Sequence, residues 1–225
     1  MLLSGVVRAV LLPATPLLVP GLLPGLRPDP LAGLRDAVSG ALAALTAGGR
    51  LPLVVAHGPG LRRGRMRPSL AGSGIGDRWL PGTTPQPPVA RQGLDGGLPP
   101  TGTTVPAAGD LPAAGTGASV ALLALAAVLG ARAADVEVLE VPPTWTGSAG
   151  TGPDEDAVRL LRAADGLVVA AGGVPGGVDT DPGALTDGVR AALRAAGAGS
   201  WTAEVQELEQ SHDHLPPRYR VTTLS

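Results

Sequence analysis

The chain has 225 residues, 44% of them hydrophobic, with a formal net charge of −2 and no cysteine. That length fits one large domain or two small ones, and the even spread of apolar segments favours one. The near-neutral charge gives no electrostatic pull toward nucleic acid or an acidic membrane, and the lack of cysteine excludes disulfides, thiolate nucleophiles and zinc–thiolate sites.

Aromatic residues make up only 2% of the chain, so Ala, Leu and Val must fill the core. Lys, Asn and Phe are absent and every basic side chain is Arg, a bias that matches GC-rich coding. Individual Arg-for-Lys choices therefore carry little functional weight.

Residues 6–12 (VVRAVLL) read as a buried strand that stops at Pro13, followed by a bend at Ala14 and Thr15 and a second apolar run over 16–19. In an open parallel sheet, the carboxyl end of a first strand opens on the ligand crevice. Ala14 and Thr15 thus fall where chemistry is expected, yet carry little of it. The first charge, Arg8, lies inside the apolar run, and prolines at 13, 16 and 20 interrupt it. This pattern argues against a secretory leader and for a cytoplasmic protein.

Asp29-Pro30 predicts a helix N-cap followed by proline at the first helical position. Leu31, Leu34, Val38, Leu42 and Leu45 then recur at helical spacing, up to Gly48-Gly49. Residues 51–56 read as a strand running into His57-Gly58-Pro59-Gly60, which completes a right-handed βαβ unit. Residues 58–115 form a Gly/Pro-rich loop, with short strands expected near Leu70 and Trp79 and a mobile stretch over 81–106. Residues 116–134 are apolar nearly all round, as a helix buried between other elements would be. The apolar run 118–130 falls short of the ~20 residues a membrane span needs.

A strand over 135–141 and a loop over 144–152 come next. Pro153-Asp154-Glu155 opens a helix with acids favourably placed against its dipole. Residues 166–171 (GLVVAA) read as a buried strand leading into a loop over 172–180. Asp181-Pro182 then caps a helix to Gly197, and residues 201–208 and 218–224 close the chain as strands. The expected fold is a single α/β domain: a three-layer sandwich with a mainly parallel central sheet and helices on both faces.

Few residues are equipped for chemistry. His57, at the carboxyl end of a parallel strand, is placed to act as metal ligand or general base, or to bond nearby backbone. His212-Asp213-His214 could join it in a His/His/carboxylate set suited to divalent iron, or form a solvated turn. The glycine run from Gly172 and Gly173 to Gly177 could border the crevice, but lacks the ending of a phosphate loop. Gly72-Ser73-Gly74-Ile75-Gly76 does not fit dinucleotide spacing. Arg62, Arg63, Arg65 and Arg67 form the basic cluster, either a solvated loop or a site for a substrate carboxylate; no aromatic platforms for nucleic acid lie near it. No serine sits in a nucleophile elbow.

Four stretches, PATPLLVPGL (13–22), LVVAHGPG (53–60), RPSLAGSGIG (67–76) and DGLVVAAGG (165–173), come in the order seen in one family. The chain resembles class III extradiol dioxygenase catalytic-subunit-like proteins, in particular their small, Ala-rich actinobacterial members. WTAEVQEL and RYRVTTL are similar to that group's closing strands. The resemblance implies an Fe(II) site whose first ligand is a His at the end of the first strand; here that position holds Ala14. His57 matches a second ligand, and Glu204 and Glu207 are candidates for the carboxylate by location.

Three functions follow. The first is a divergent, dioxygenase-like protein without the intact iron site, acting by binding a small molecule or as a partner subunit, with no cofactor. The second is a metal-dependent oxidoreductase using Fe(II) in a site rebuilt from His57 with His212, Asp213 or His214. The third is an unrelated α/β small-molecule-binding protein.

Overall fold

Ala9–Pro13 (β1) is an apolar run whose side chains are buried on both faces, the mark of a strand inside a covered sheet. The computed structural model describes residues 6–22, 29–81, 111–147, 153–172 and 184–225. The expected mobile stretch over 81–106 lies, beyond Pro81, outside the described residues. So do Gly173 to Thr180 and the expected helix start at Asp181-Pro182.

Six more strands join β1 in one sheet: Leu53–His57 (β2), Arg62–Arg65 (β3), Glu137–Val141 (β4), Leu167–Ala171 (β5), Ala203–Glu209 (β6) and Arg218–Leu224 (β7), in the order β3-β4-β2-β5-β1-β7-β6. The four apolar strands expected from the sequence are the parallel centre, β4-β2-β5-β1. The sheet is nevertheless mixed rather than mainly parallel, because β3, β7 and β6 each pair antiparallel to a neighbour. β6 and β7 are joined by a short hairpin turn, which can only reverse the chain. β3 has the sequence RRGR and lies at an edge. An edge strand with charged side chains has no apolar alternation to reveal it.

Helices cover both faces, as expected. Ala32–Leu45 (α1) and Thr116–Leu129 (α2) bury Leu34, Val38, Leu42, Ala118, Val120 and Leu125 against Val10, Leu12, Val54 and Val168. Pro153–Ala163 (α3) and Asp187–Ala195 (α4) bury Ala157, Val158, Leu161, Val189 and Ala192 against Ala9, Val55, Leu139 and Val169. Burying a leucine such as Leu42 completely contributes about 1.5–3 kcal/mol. Alternate residues of each central strand feed the two cores, so a one-residue slip would exchange them.

Helix boundaries differ from the sequence reading where a polar side chain captures backbone locally. Asp29 accepts from the Leu31 N–H at 3.0 Å and pairs with Arg35 at 2.7 Å, so α1 starts only at Ala32. At α4 the cap is Thr186, whose hydroxyl accepts from the Val189 N–H, and the helix begins at Asp187. The segments near Leu70 and Trp79 are not strands but 3-10 turns, Ala71–Ser73 and Asp77–Trp79.

α2 and the turn after it, Thr116–Asp135, form a stretch long and apolar enough by length and composition to cross a membrane, with mean hydropathy 1.8. In this fold it packs on α1, β2 and β5, with Ala118 to Leu123 and Leu125 buried. Its first turn lies unusually close to the sheet. A Cβ placed on Gly117 would stand 3.3 Å from the Ala170 Cβ and 3.5 Å from the Ala14 Cβ.

Candidate functional site

The carboxyl ends of β1, β2, β4 and β5 share one edge of the sheet, and the N-terminus of α2 reaches over it. At the end of β1, Ala14 donates its N–H to the Ala171 carbonyl at 2.6 Å and is only 4% exposed. Its methyl group lies beneath Gly117. Thr15 is also buried; its hydroxyl accepts from the Leu17 N–H and caps the short turn Pro16–Leu18. The two residues expected to line the crevice are thus part of the packing, because α2 closes down on small side chains at this point.

Gly172 follows β5 with φ +96°, and its N–H donates to the Ala184 carbonyl at 2.6 Å. A glycine adopts that positive φ without the strain a side chain would bring. Gly173, its expected partner in the crevice, lies outside the described residues.

His57 is the last residue of β2 and is half-buried. Its Nδ1 is buried and has no hydrogen-bond partner among the described residues. A buried ring nitrogen without a partner is uncommon, because desolvating it uncompensated costs about 1–3 kcal/mol. Among the described residues the imidazole is thus the one chemically competent side chain at the strand ends that is left unengaged.

One register step back, on the other face of the sheet, stands a residue the sequence reading passed over. Glu140 lies opposite Ala56 in the β2–β4 register and is fully buried. Its Oε1 accepts the Gly115 N–H at 2.6 Å, just ahead of α2. Its Oε2 accepts two bonds from Arg62, one from Nε at 2.8 Å and one from the terminal guanidinium nitrogen. The carboxylate therefore ties the edge strand β3 to the start of α2. Glycines flank it closely: a Cβ on Gly58 would come within 2.8 Å of the Glu140 Cβ, which only a shift could relieve, and one on Gly115 would stand a tight 3.1 Å from Oε1. A signal was present, since DVEVLEV places an acid inside a strand otherwise buried on both faces.

The rest of the basic cluster is neutralised in the same way. Arg63 pairs with Asp156 at 2.6 Å, Arg65 with Asp135 at 3.4 Å and Arg67 with Asp77 at 2.6 Å. Asp77 also accepts from the Ser69 hydroxyl at 2.8 Å. The bonds from Ser69 and Arg67 hold its carboxyl below the ordinary carboxylate range. Neither the solvated-loop reading nor the substrate-carboxylate reading describes these arginines: they pin the segment that follows β2.

His212, Asp213 and His214 sit in the turn between β6 and β7. Gln210 organises this turn: its amide nitrogen donates to the carbonyls of His212, Leu215 and Pro216, and its oxygen accepts from the His212 N–H. The two imidazoles meet edge to face at 5.7 Å, and His212 Nδ1 accepts from the His214 N–H. β7 and β6 lie three and four ladder steps from β2. At ~4.8 Å per step, the turn stands about 14 Å or more from His57. The structure does not bring these residues together, and among the described residues no group of three or more His, Asp or Glu side chains could hold a metal ion.

Glu204 and Glu207, on β6, are exposed, and Glu207 pairs with Arg220 at 2.8 Å. No family model, curated protein or solved structure matches the chain. Fold and strand ends together define an α/β protein with helices on both faces of a mixed sheet and, among the described residues, one histidine with an unpartnered ring nitrogen at the carboxyl edge of its parallel centre.

Proposed function

We propose that the protein is a divergent relative of the class III extradiol dioxygenases that does not open aromatic rings. It acts by binding in the cytoplasm, taking a small molecule at His57 or serving as a partner subunit. The supporting observation is the state of the strand ends. His57 keeps a buried Nδ1 with no partner among the described residues, while the position expected to supply the first iron ligand is a methyl group packed beneath Gly117.

Divalent iron does not fit these residues. Holding a catecholate and dioxygen requires several ligands to converge on the metal. Ala14 offers no donor atom, and Gly117 leaves no room beside it for an imidazole. Glu140, the buried carboxylate nearest His57 in register, already accepts from Arg62 and Gly115.

Anaerobic reconstitution with ferrous iron tests the proposal. After desalting, the protein should retain far less than one equivalent of iron and should leave catechols intact. Stoichiometric iron that disappears in His57→Ala, accompanied by ring opening, would overturn it. If His212→Ala or His214→Ala also abolished that iron, a rebuilt site would be the correct reading.

A further inference from the structure

We infer that the opposite, amino-terminal edge of the sheet carries a separate binding site for a small organic phosphate. A pocket of about 320 Å³ opens there, lined among others by Arg8, Arg50, Arg162, Asp165, Leu161 and Trp201. These residues converge from separate places in the chain: just ahead of β1, β2 and β5, the last turn of α3, and the approach to β6. Arg50 is held in place by the carbonyls of Ala47, Val7 and Asp165, at 3.3 to 3.5 Å. The Arg8 guanidinium lies 5.9 Å from the centroid of the Trp201 ring.

What sets this pocket apart is a gathering of uncompensated charge. Each arginine of β3, and Arg159 and Arg190 on the helices, is ion-paired. Among the described residues no carboxylate pairs with Arg8, Arg50 or Arg162. Arg78, Arg132 and Arg194 also lack an ion pair among the described residues, but this pocket gathers three such arginines against one acid. Three guanidinium groups against the single acid Asp165 leave the pocket short of about two negative charges, which is the charge of a phosphate monoester near pH 7. Guanidinium forks match phosphate oxygens bidentately. The volume falls at the low end of the ~300–1,000 Å³ typical of small-molecule sites and is more than a bare oxyanion fills. The remaining space lies against Leu161 and Trp201, where an apolar or aromatic body can pack, with Asp165 free to accept from a hydroxyl or amino group. Compensation of helix C-termini accounts for Arg50, which donates to Ala47, and for Arg162 in the last turn of α3, but not for Arg8, which precedes a strand.

Isothermal titration of the full chain with adenosine 5′-monophosphate and phenyl phosphate, against inorganic phosphate and adenosine, tests the site. At least one monoester should bind saturably at one equivalent, more tightly than inorganic phosphate or adenosine, and weaken with added salt. Arg8→Gln and Arg162→Gln should each weaken it about tenfold, the loss of one charge-assisted contact. Asp165→Asn should tighten it by removing a like charge, an effect no merely damaged fold would produce. Absence of saturable binding by both monoesters, or affinities unchanged across the three variants, would overturn the proposal. Inorganic phosphate binding as tightly as the monoesters would remove the organic body from it.

Discussion

Arg62 is 40% exposed and sits on an edge strand, where truncating an arginine ordinarily changes stability by less than about 0.5 kcal/mol. Its partner changes that expectation. Glu140 is fully buried, and Arg62 and the Gly115 N–H are the groups that compensate its charge. Removing one member of a buried pair leaves the other uncompensated, at about 3–5 kcal/mol when both are buried. Since Arg62 is partly solvated, the expected cost of Arg62→Ala is nearer 2–3 kcal/mol.

Glu140→Gln reverses the situation. The amide oxygen can still accept from Gly115, no charge is left buried, and Arg62 returns to water. The expected loss is about 1–2 kcal/mol, from the charge-assisted bonds alone. Trimming the more exposed partner should thus cost more than altering the buried one, and Glu140→Gln/Arg62→Ala should be about as stable as Glu140→Gln. Urea denaturation followed by far-UV circular dichroism gives these values from the midpoints, provided the slopes agree. Arg63→Ala, whose partner Asp156 is itself partly exposed, is the internal control and should lie within about 0.5 kcal/mol of wild type. If Arg62→Ala behaves like Arg63→Ala, Glu140 does not depend on Arg62 and the account of this site is wrong.

Gly188→Ala should lower the melting temperature, although alanine favours a helix by about 1 kcal/mol. Its Cβ would fall 2.0 Å from the Pro142 carbonyl oxygen, so α4 must shift, at about 1–3 kcal/mol; a raised melting temperature would contradict that close approach. The stabilisation from Asp77 should be pH-dependent with a definite sign. Its folded value is depressed, so the contribution is complete above the ordinary carboxylate value of about 4 and is lost as pH falls through the lower, folded one. The stability difference between wild type and Asp77→Asn should therefore stay constant from about pH 8 to 5 and shrink below about pH 4, and a difference that instead grew on acidification would refute it.

The parallel centre of the sheet was legible because its strands are buried on both faces, which gives continuous apolar runs bounded by proline and glycine. Three-layer packing followed from the helices between those runs. The antiparallel margins were not legible. β3 is four residues of arginine and glycine, and its stabilising partners, Glu140, Asp156 and Asp135, lie far away in sequence. Helix starts were misplaced where Asp29 and Thr186 compete with proline for control of the first turn, a contest decided by one hydrogen bond.

At the strand ends the sequence could rank residues by chemistry but not by depth. Ala14 and Thr15 occupy the expected place at the end of β1, yet the close descent of α2 depends on Gly117 meeting three alanines that no local pattern connects. Glu140 was overlooked because its neighbours suggest only a strand. Glu204 and Glu207 drew attention by location, and their placement on β6 supplies a different reason for acids there. β6 ends the sheet among the described residues, so one side of its backbone has no described strand beside it. Along it Glu207 and Glu209 pair across to Arg220 and Arg218 of β7, while Glu204 stays exposed. Charged side chains along an edge strand are one way natural sheets keep their edges from pairing. Acids on β6 thus have a place at a sheet edge that needs no ligand role, and under the proposed function binding at the strand ends falls to His57.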